Sequence, residues 1–253
     1  MSQLNESPII TIERRKAVTI IISSVIVSLA LAGGLMKVGT GFAARSANGI
    51  TVTGSAKVSA TADNAVWVLN VQASTPKVAA AISKVGSDVD ALKAYLIAGG
   101  VPADAFTLGA VSTYANPEYI NGNATGRILS HNASRDVTVR STDVQMLSKL
   151  SQGIGALLQT GVNVNTGGPQ YYVSTLPKLR PQLLEEAMKD AQIRAIALTK
   201  AVNGTIGAVV SVTTGPFQVT TPDSTMNEAG GAYDTSTIEK TVTCTVSVTF
   251  KTN

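Results

Sequence analysis

The sequence predicts an α+β domain behind a single N-terminal transmembrane helix, and three observations predict it. An uncharged apolar run lies near the start, segments of period two recur beyond it, and segments of helical spacing interrupt them. The element order reads ββαββαβαββ. It argues for hairpin-joined strands in a largely antiparallel or mixed sheet, with about three interspersed helices.

The apolar run comes first. Arg14, Arg15 and Lys16 precede Ala17, the next charge is Lys37, and the 20 residues between carry none. As a helix, that length spans roughly the 30 Å hydrocarbon core and satisfies its own backbone. The basic triplet stays cytoplasmic, so the remainder is translocated. The chain therefore divides into a cytoplasmic tail (1–16), a signal anchor (Ala17–Met36), a Gly- and Ala-rich linker (37–48) and an ectodomain (49–253). The expected location is the inner, cytoplasmic membrane, single-pass, with the C-terminal domain periplasmic or otherwise extracytoplasmic. A cleaved, secreted form is the alternative, because Phe42-Ala43-Ala44 offers small residues to a peptidase. A signal-peptide apolar region is usually about 7 to 15 residues, which is shorter than this run. Ser24, Ser28 and Ala32 form a small-xxx-small pattern that permits close helix packing in the membrane.

The ectodomain elements follow in order. Ile50, Val52, Gly54, Ala56 and Val58 alternate with polar residues as a half-buried strand. Asp63-Asn64 signals a turn, and Ala65–Ala73 reads as a second strand with Trp67, Leu69, Val71 and Ala73 on one face. Val78, Ile82, Val85, Val89, Leu92 and Leu96 then fall on one helical stripe between Pro76 and Gly99-Gly100. Phe106–Tyr114 reads as a strand and Leu129–Arg140 as its antiparallel partner. Asn116-Pro117 and Asn121-Gly122-Asn123 are loop chemistry between them. Asp143 caps a second helix bearing Leu147, Leu150, Ile154, Leu157 and Leu158, stopped by Gly161. Val162–Ser174 is mostly extended. A third helix follows Pro181, with Leu184, Ala187, Ala191, Ala195, Leu198 and Val202 inward and Glu185–Lys189 and Asp190–Arg194 pairs outward. Strands near Ile206–Thr213 and Ile238–Lys251 close the chain. Gly215–Ser236 is the one long irregular stretch, expected to be mobile or ordered only against a neighbour.

Composition excludes several functions. The net charge is +4, but residues 1–48 hold five Lys/Arg and two Asp/Glu, so only +1 remains on 49–253. That leaves no basic stripe for nucleic acid. One cysteine makes no intrachain disulfide, and the alternation around Cys244 places it on an apolar face as a small buried hydrophobe. The single histidine, His131, reads as a polar strand-edge residue. Its neighbours Ser130 and Ser134 do not by themselves make a triad. One His and one Cys make zinc coordination by the usual ligands improbable. Glu185 and Glu186 are adjacent on a helix and point apart, so they form no acid–base pair. Gly153-Ile154-Gly155 sits inside a helical pattern rather than at a dinucleotide-binding turn. The Asn-x-Ser/Thr sequons at Asn5, Asn123, Asn132 and Asn203 matter only in a glycosylating pathway. No catalytic, cofactor-binding or metal-ligating residue is assigned.

The ectodomain nevertheless resembles a known family. Ile50-Thr51-Val52-Thr53-Gly54-Ser55-Ala56-Lys57-Val58, with Ala62-Asp63-Asn64-Ala65 after it, is similar to an I-x-V-x-G-x-G-x-V strand and P-D-x-A turn. Ala56 and Ala62 stand where Gly and Pro are typical. Asn116-Pro117-Glu118-Tyr119 looks like a mid-domain P-x-Y region, and Ala133-Ser134-Arg135-Asp136-Val137-Thr138-Val139 like an A-S-x-x-V-x-V strand, although Ser130-His131 departs from the common G-Y. Glu186-Ala187 through Ala191 to Ala195 is similar to an E-A-x-x-x-A-x-x-x-A helix, and Gly204–Val209 to a G-x-x-L-G-x-V turn and strand. These are motifs of the SIMPL domain family, also called DUF541, and in order they cover nearly all of residues 49–253. The resemblance implies a cell-envelope α+β domain, large ring or channel-like oligomers and a loose link to oxidative-stress defence. It brings no catalytic residues.

The expected function is that of a non-enzymatic envelope protein whose anchored ectodomains self-assemble into such an oligomer. The membrane would be reached through Ala17–Met36. The alternative is a ligand- or partner-binding stress sensor or adaptor, which would need a concave apolar pocket and an exposed aromatic such as Trp67, Tyr171 or Tyr172.

Overall fold

The computed structural model describes residues 49–225 and 229–252. The expected tail, anchor and linker lie outside these residues. Among the described residues no helix is long and apolar enough to cross a membrane. The elements run β1 (Gly49–Thr61), β2 (Asn64–Thr75), α1 (Val78–Ala98), β3 (Phe106–Leu108), β4 (Ser112–Ile120), β5 (Asn123–Ser141), α2 (Val144–Gly153), α3 (Gly155–Leu158), β6 (Val164–Asn165), β7 (Gln170–Tyr172), α4 (Leu176–Lys200), β8 (Ile206–Thr214), β9 (Gln218–Thr220) and β10 (Glu239–Thr252). This is the α+β class expected. The strands form two sheets rather than one, ordered β1-β10-β8 with β9 on β10, and β3-β5-β2-β6 with β4 on β5 and β7 on β2.

Two compact units are distinguished. The larger takes 52–194 and 212–248, and the smaller, among the described residues, takes 49–51, 195–211 and 249–252. In the larger, α1 covers the β2–β5 sheet. Trp67, Leu69, Val71, Val137 and Val139 are buried against Ala81, Val85, Val89, Leu92 and Leu96. The Trp67 indole N–H has its partner in the Thr166 hydroxyl at 2.7 Å, so the ring sits in the core with its one polar atom satisfied.

Several expectations are corrected. The inward line of α1 passes through Ala81 and Asp88, while Val78 and Ile82 are exposed. Asp88 tolerates burial because Lys84, one turn earlier, reaches both its oxygens at 2.9 Å. The strand expected over Phe106–Tyr114 breaks in two. β3 pairs with Val137–Val139, but Ser112 faces Ser134, a register shift of one residue past Gly109. Asn116-Pro117 belongs to β4 rather than to a loop. Proline lacks an N–H, and the register slips there and again before Tyr119, as a bulged outer strand allows. Only Asn121-Gly122 turns the chain, both at positive φ (49° and 82°), the geometry of a two-residue hairpin.

Asp143 does cap α2, its carboxylate accepting from the Met146 N–H at 2.9 Å. The helix then breaks at Ile154, and Leu158 is exposed. α4 begins at Leu176 and carries Pro181 within its second turn. Its buried stripe is Leu183, Ala187, Ala191, Ala195 and Thr199, so Leu198 and Val202 point outward, against expectation. The small alanines are what let α4 approach β1 closely. A Cβ placed on Gly54 would run into the Ala187 carbonyl, the Ala191 N–H and the Ala191 methyl.

Gly215–Ser236 is corrected as well, since its described part is ordered within its own chain. β9 pairs with β10 at Thr241–Thr243, and Val219 bridges Tyr233. The Tyr233 hydroxyl accepts from the Val173 N–H at 2.9 Å, and its ring stands 5.9 Å from that of Tyr172.

Candidate functional site

Among the described residues, His131, Cys244 and Glu185 stand on three different elements, β5, β10 and α4. His131 sits in β5 with Thr75 across from it on one side and Ala115 on the other, so no carboxylate or thiol faces it in register. Cys244 is fully buried between Val242 and Val246 on the inner face of β10, and burial pushes its thiol pKa up, away from the reactive thiolate. Glu185 pairs with Lys189 at 2.6 Å, which lowers the pKa of the carboxyl through a direct hydrogen bond and raises that of the amine. Among the described residues no group of three or more His, Cys, Asp or Glu is placed to hold a metal ion.

The aromatics of the sensor reading are packing residues. Trp67 is fully buried, Tyr171 is buried, and Tyr172 is half-buried against Tyr233. A shallow trough of about 440 Å³ lies on the polar face of the β1–β10 sheet, with Ser55, Lys57, Thr241, Thr243 and Thr245 on its floor and Asp223 and Thr225 at its rim. It is lined by hydroxyls and contains no aromatic ring. It is not the apolar pocket that the sensor reading called for.

Three features were missed by sequence reading. The first is a buried cation. Lys240 occupies the inward register of β10, its side chain wholly inaccessible, and donates to the Asp234 carbonyl at 2.7 Å and carboxylate at 3.1 Å. Burial alone would raise the Asp234 carboxyl. The Ser236 N–H and hydroxyl, together with Lys240, outweigh that and hold its pKa below the ordinary value. The available signal was parity: Lys240 shares the face of Val242 and Cys244.

The second is the covered edge of β1. β1 is an outer strand, and Asp190 on α4 accepts its Ser55 N–H at 2.8 Å while also pairing with Arg194 at 2.9 Å. The backbone N–H of Ser55, then Arg194, lowers the carboxyl's pKa. Because the folded-state pKa lies below the unfolded one, this stabilisation is complete above the unfolded value and is lost as pH falls through the folded value. Asp190→Asn should therefore flatten part of the acid limb of stability, read as urea midpoints from neutral pH through the carboxylate range. An acid limb identical to the wild type would refute the assignment.

The third is an arm. From Ser112 to Leu129 the β4–β5 hairpin is exposed almost throughout. Tyr114 and Tyr119 are 65% and 62% exposed, and Ile120, Ile128 and Leu129 are also open to solvent. Ile128 and Leu129 are consecutive in a strand and point to opposite sides, so neither face of the arm is covered. The loop chemistry of Asn-Pro and Asn-Gly concealed it in the sequence.

A family model for the SIMPL domain, described as a protein of unknown function (DUF541), matches residues 50–250. Comparison with curated proteins finds none that match.

Proposed function

The chain belongs to the SIMPL (DUF541) family, and from that premise we propose that it is a non-enzymatic envelope protein, held in the inner membrane by Ala17–Met36, whose ectodomains self-assemble. The observation that carries this reading is the arm. An isolated two-stranded hairpin is marginal in water, and this one has tyrosines and branched aliphatics on uncovered faces. Self-association buries them, and the anchor supplies the local concentration that favours it. A ring or channel-like oligomer is the form that the family resemblance suggests, and a role in stress defence is carried over on the same basis. The scattered positions of His131, Cys244 and the carboxylates support the absence of an enzymatic role.

The test is light scattering after size-exclusion of the detergent-extracted full chain. Wild type should run as an oligomer. A variant with Tyr114, Tyr119, Ile120, Ile128 and Leu129 replaced by serine or threonine should run as a monomer with an unchanged far-ultraviolet spectrum. A monomeric wild type, or a variant that assembles as before, would sink the proposal.

A further inference from the structure

The smaller unit has an unusual surface at one place. The last two turns of α4 bury Ala195 and Thr199, while Ile196 and Leu198 on the flanks are 47% and 53% exposed. Val202, just past the helix, is 76% exposed, the most open of the large apolar side chains described. Its position is fixed rather than frayed. The Val202 and Gly204 N–H groups both donate to the Thr199 carbonyl, and Asn203 takes the left-handed conformation at φ 55° that ends a helix.

The same unit receives the chain from its N-terminal segment. Gly49–Thr51 belongs to it, with the Thr51 hydroxyl 2.9 Å from that of Thr249. The linker between Met36 and Gly49 is 12 residues, which reach at most about 40 Å when fully extended. The described part of this unit carries Lys200 and Lys251, both exposed, and no Asp or Glu side chain. Exposed apolar groups in one unit with two exposed cations, and no carboxylate among its described residues, match an anionic lipid surface better than another protein face.

We propose that the C-terminal tip of α4, Leu198 to Val202, seats on the bilayer surface beside the anchor, with Lys200 and Lys251 facing anionic headgroups. This rests on the reading of Ala17–Met36 as an uncleaved span. Leu198 and Val202 enter the headgroup–acyl boundary, and the lysines offset the negative end of the helix dipole, which lipid phosphates would otherwise repel.

The experiment uses the full chain reconstituted in vesicles of phosphatidylcholine doped with phosphatidylglycerol. A nitroxide is placed at Val202→Cys, or at Ser83→Cys on the exposed face of α1 as an aqueous reference, in a Cys244→Ala background. Collisional relaxation by oxygen should exceed that by a water-soluble nickel chelate at 202, and the order should reverse at 83. Three results overturn the proposal, and each is distinct. If the chain floats with the vesicles but 202 favours the nickel chelate, the tip is in water. If 202 is shielded from both relaxants, a second protein copy covers it. If the chain does not float, the anchor reading itself fails and the proposal falls with it.

Discussion

Gly54→Ala should destabilise the ectodomain by about 3 kcal/mol, at the upper end of the usual cost of overpacking. No special backbone conformation is involved, because Gly54 is not among the positive-φ glycines. The cause is proximity. The new methyl would overlap the backbone of α4 at Ala187 and Ala191 as well as the Ala191 side chain. A flexible side chain would swing aside at small cost, but a helix backbone moves only as a whole. Any shift of α4 loosens the Asp190 bond to Ser55 as well. For a domain of this size the loss corresponds to roughly 10 °C in Tm. Thermal unfolding of residues 49–253 followed by circular dichroism checks it, and a change under about 2 °C would show that α4 is not held where described. Ala191→Gly in the Gly54→Ala background should recover part of the loss, since it removes one of the overlapping groups.

The second large effect comes from Lys240. Asp234→Ala should cost about 3 kcal/mol, because it strips a wholly buried ammonium of its counter-charge. The Asp234 carbonyl remains as a partner and the carboxylate is one-third exposed, so the expected loss lies at the low end for a broken buried pair. Lys240→Met should fall within about 1 kcal/mol of wild type, since it fills the same space with no charge to solvate. In the Lys240→Met background, Asp234→Ala should cost only about 1 kcal/mol, the contribution of the bonds to Ser236. Urea denaturation of the four proteins closes the cycle. Additive losses would mean that the pair carries no coupling and that Lys240 is stabilised by other means.

Most of the fold was legible because burial imposes a period. The alternation through Trp67, Leu69, Val71 and Ala73, and again through Val242 to Phe250, matches the buried faces of β2 and β10. The αL glycine and asparagine positions that end helices and turn hairpins were legible for the same local reason. What failed has a common cause: tertiary contacts override local signals. Leu198 and Val202 fit a helical stripe, but the sheet accepts only the narrow line of small residues that Gly54 permits, and the bulkier flanks stay outside. Asn116-Pro117 carries turn chemistry, yet pairing with β5 draws it into a bulged strand. Lys240 has the parity of the buried face of β10, but no local pattern shows Asp234, six residues earlier, folded back over it. As for a site, the strands that carry His131 and Cys244 could be read directly, whereas the arm could not, because exposure is not encoded in any short window.

The strand order has one more consequence. β1 opens the described domain and β10 closes it, yet β10 stands between β1 and β8 as the centre of their sheet. A ribosome delivers the chain from the other end. While β10 is still unmade, β1 and β8 lack the strand that each pairs with. Strands β2 to β5 and α1 are all made by Ser141 and are free to pair early, with only the short β6 and β7 still to add to their sheet. The β1 sheet is a keystone arch by comparison, open until its last piece arrives. Contacts between such distant segments are the slow ones in folding. A stop codon in place of Glu239 would remove the whole of that piece and leave a chain with one sheet that can form and one that can never close.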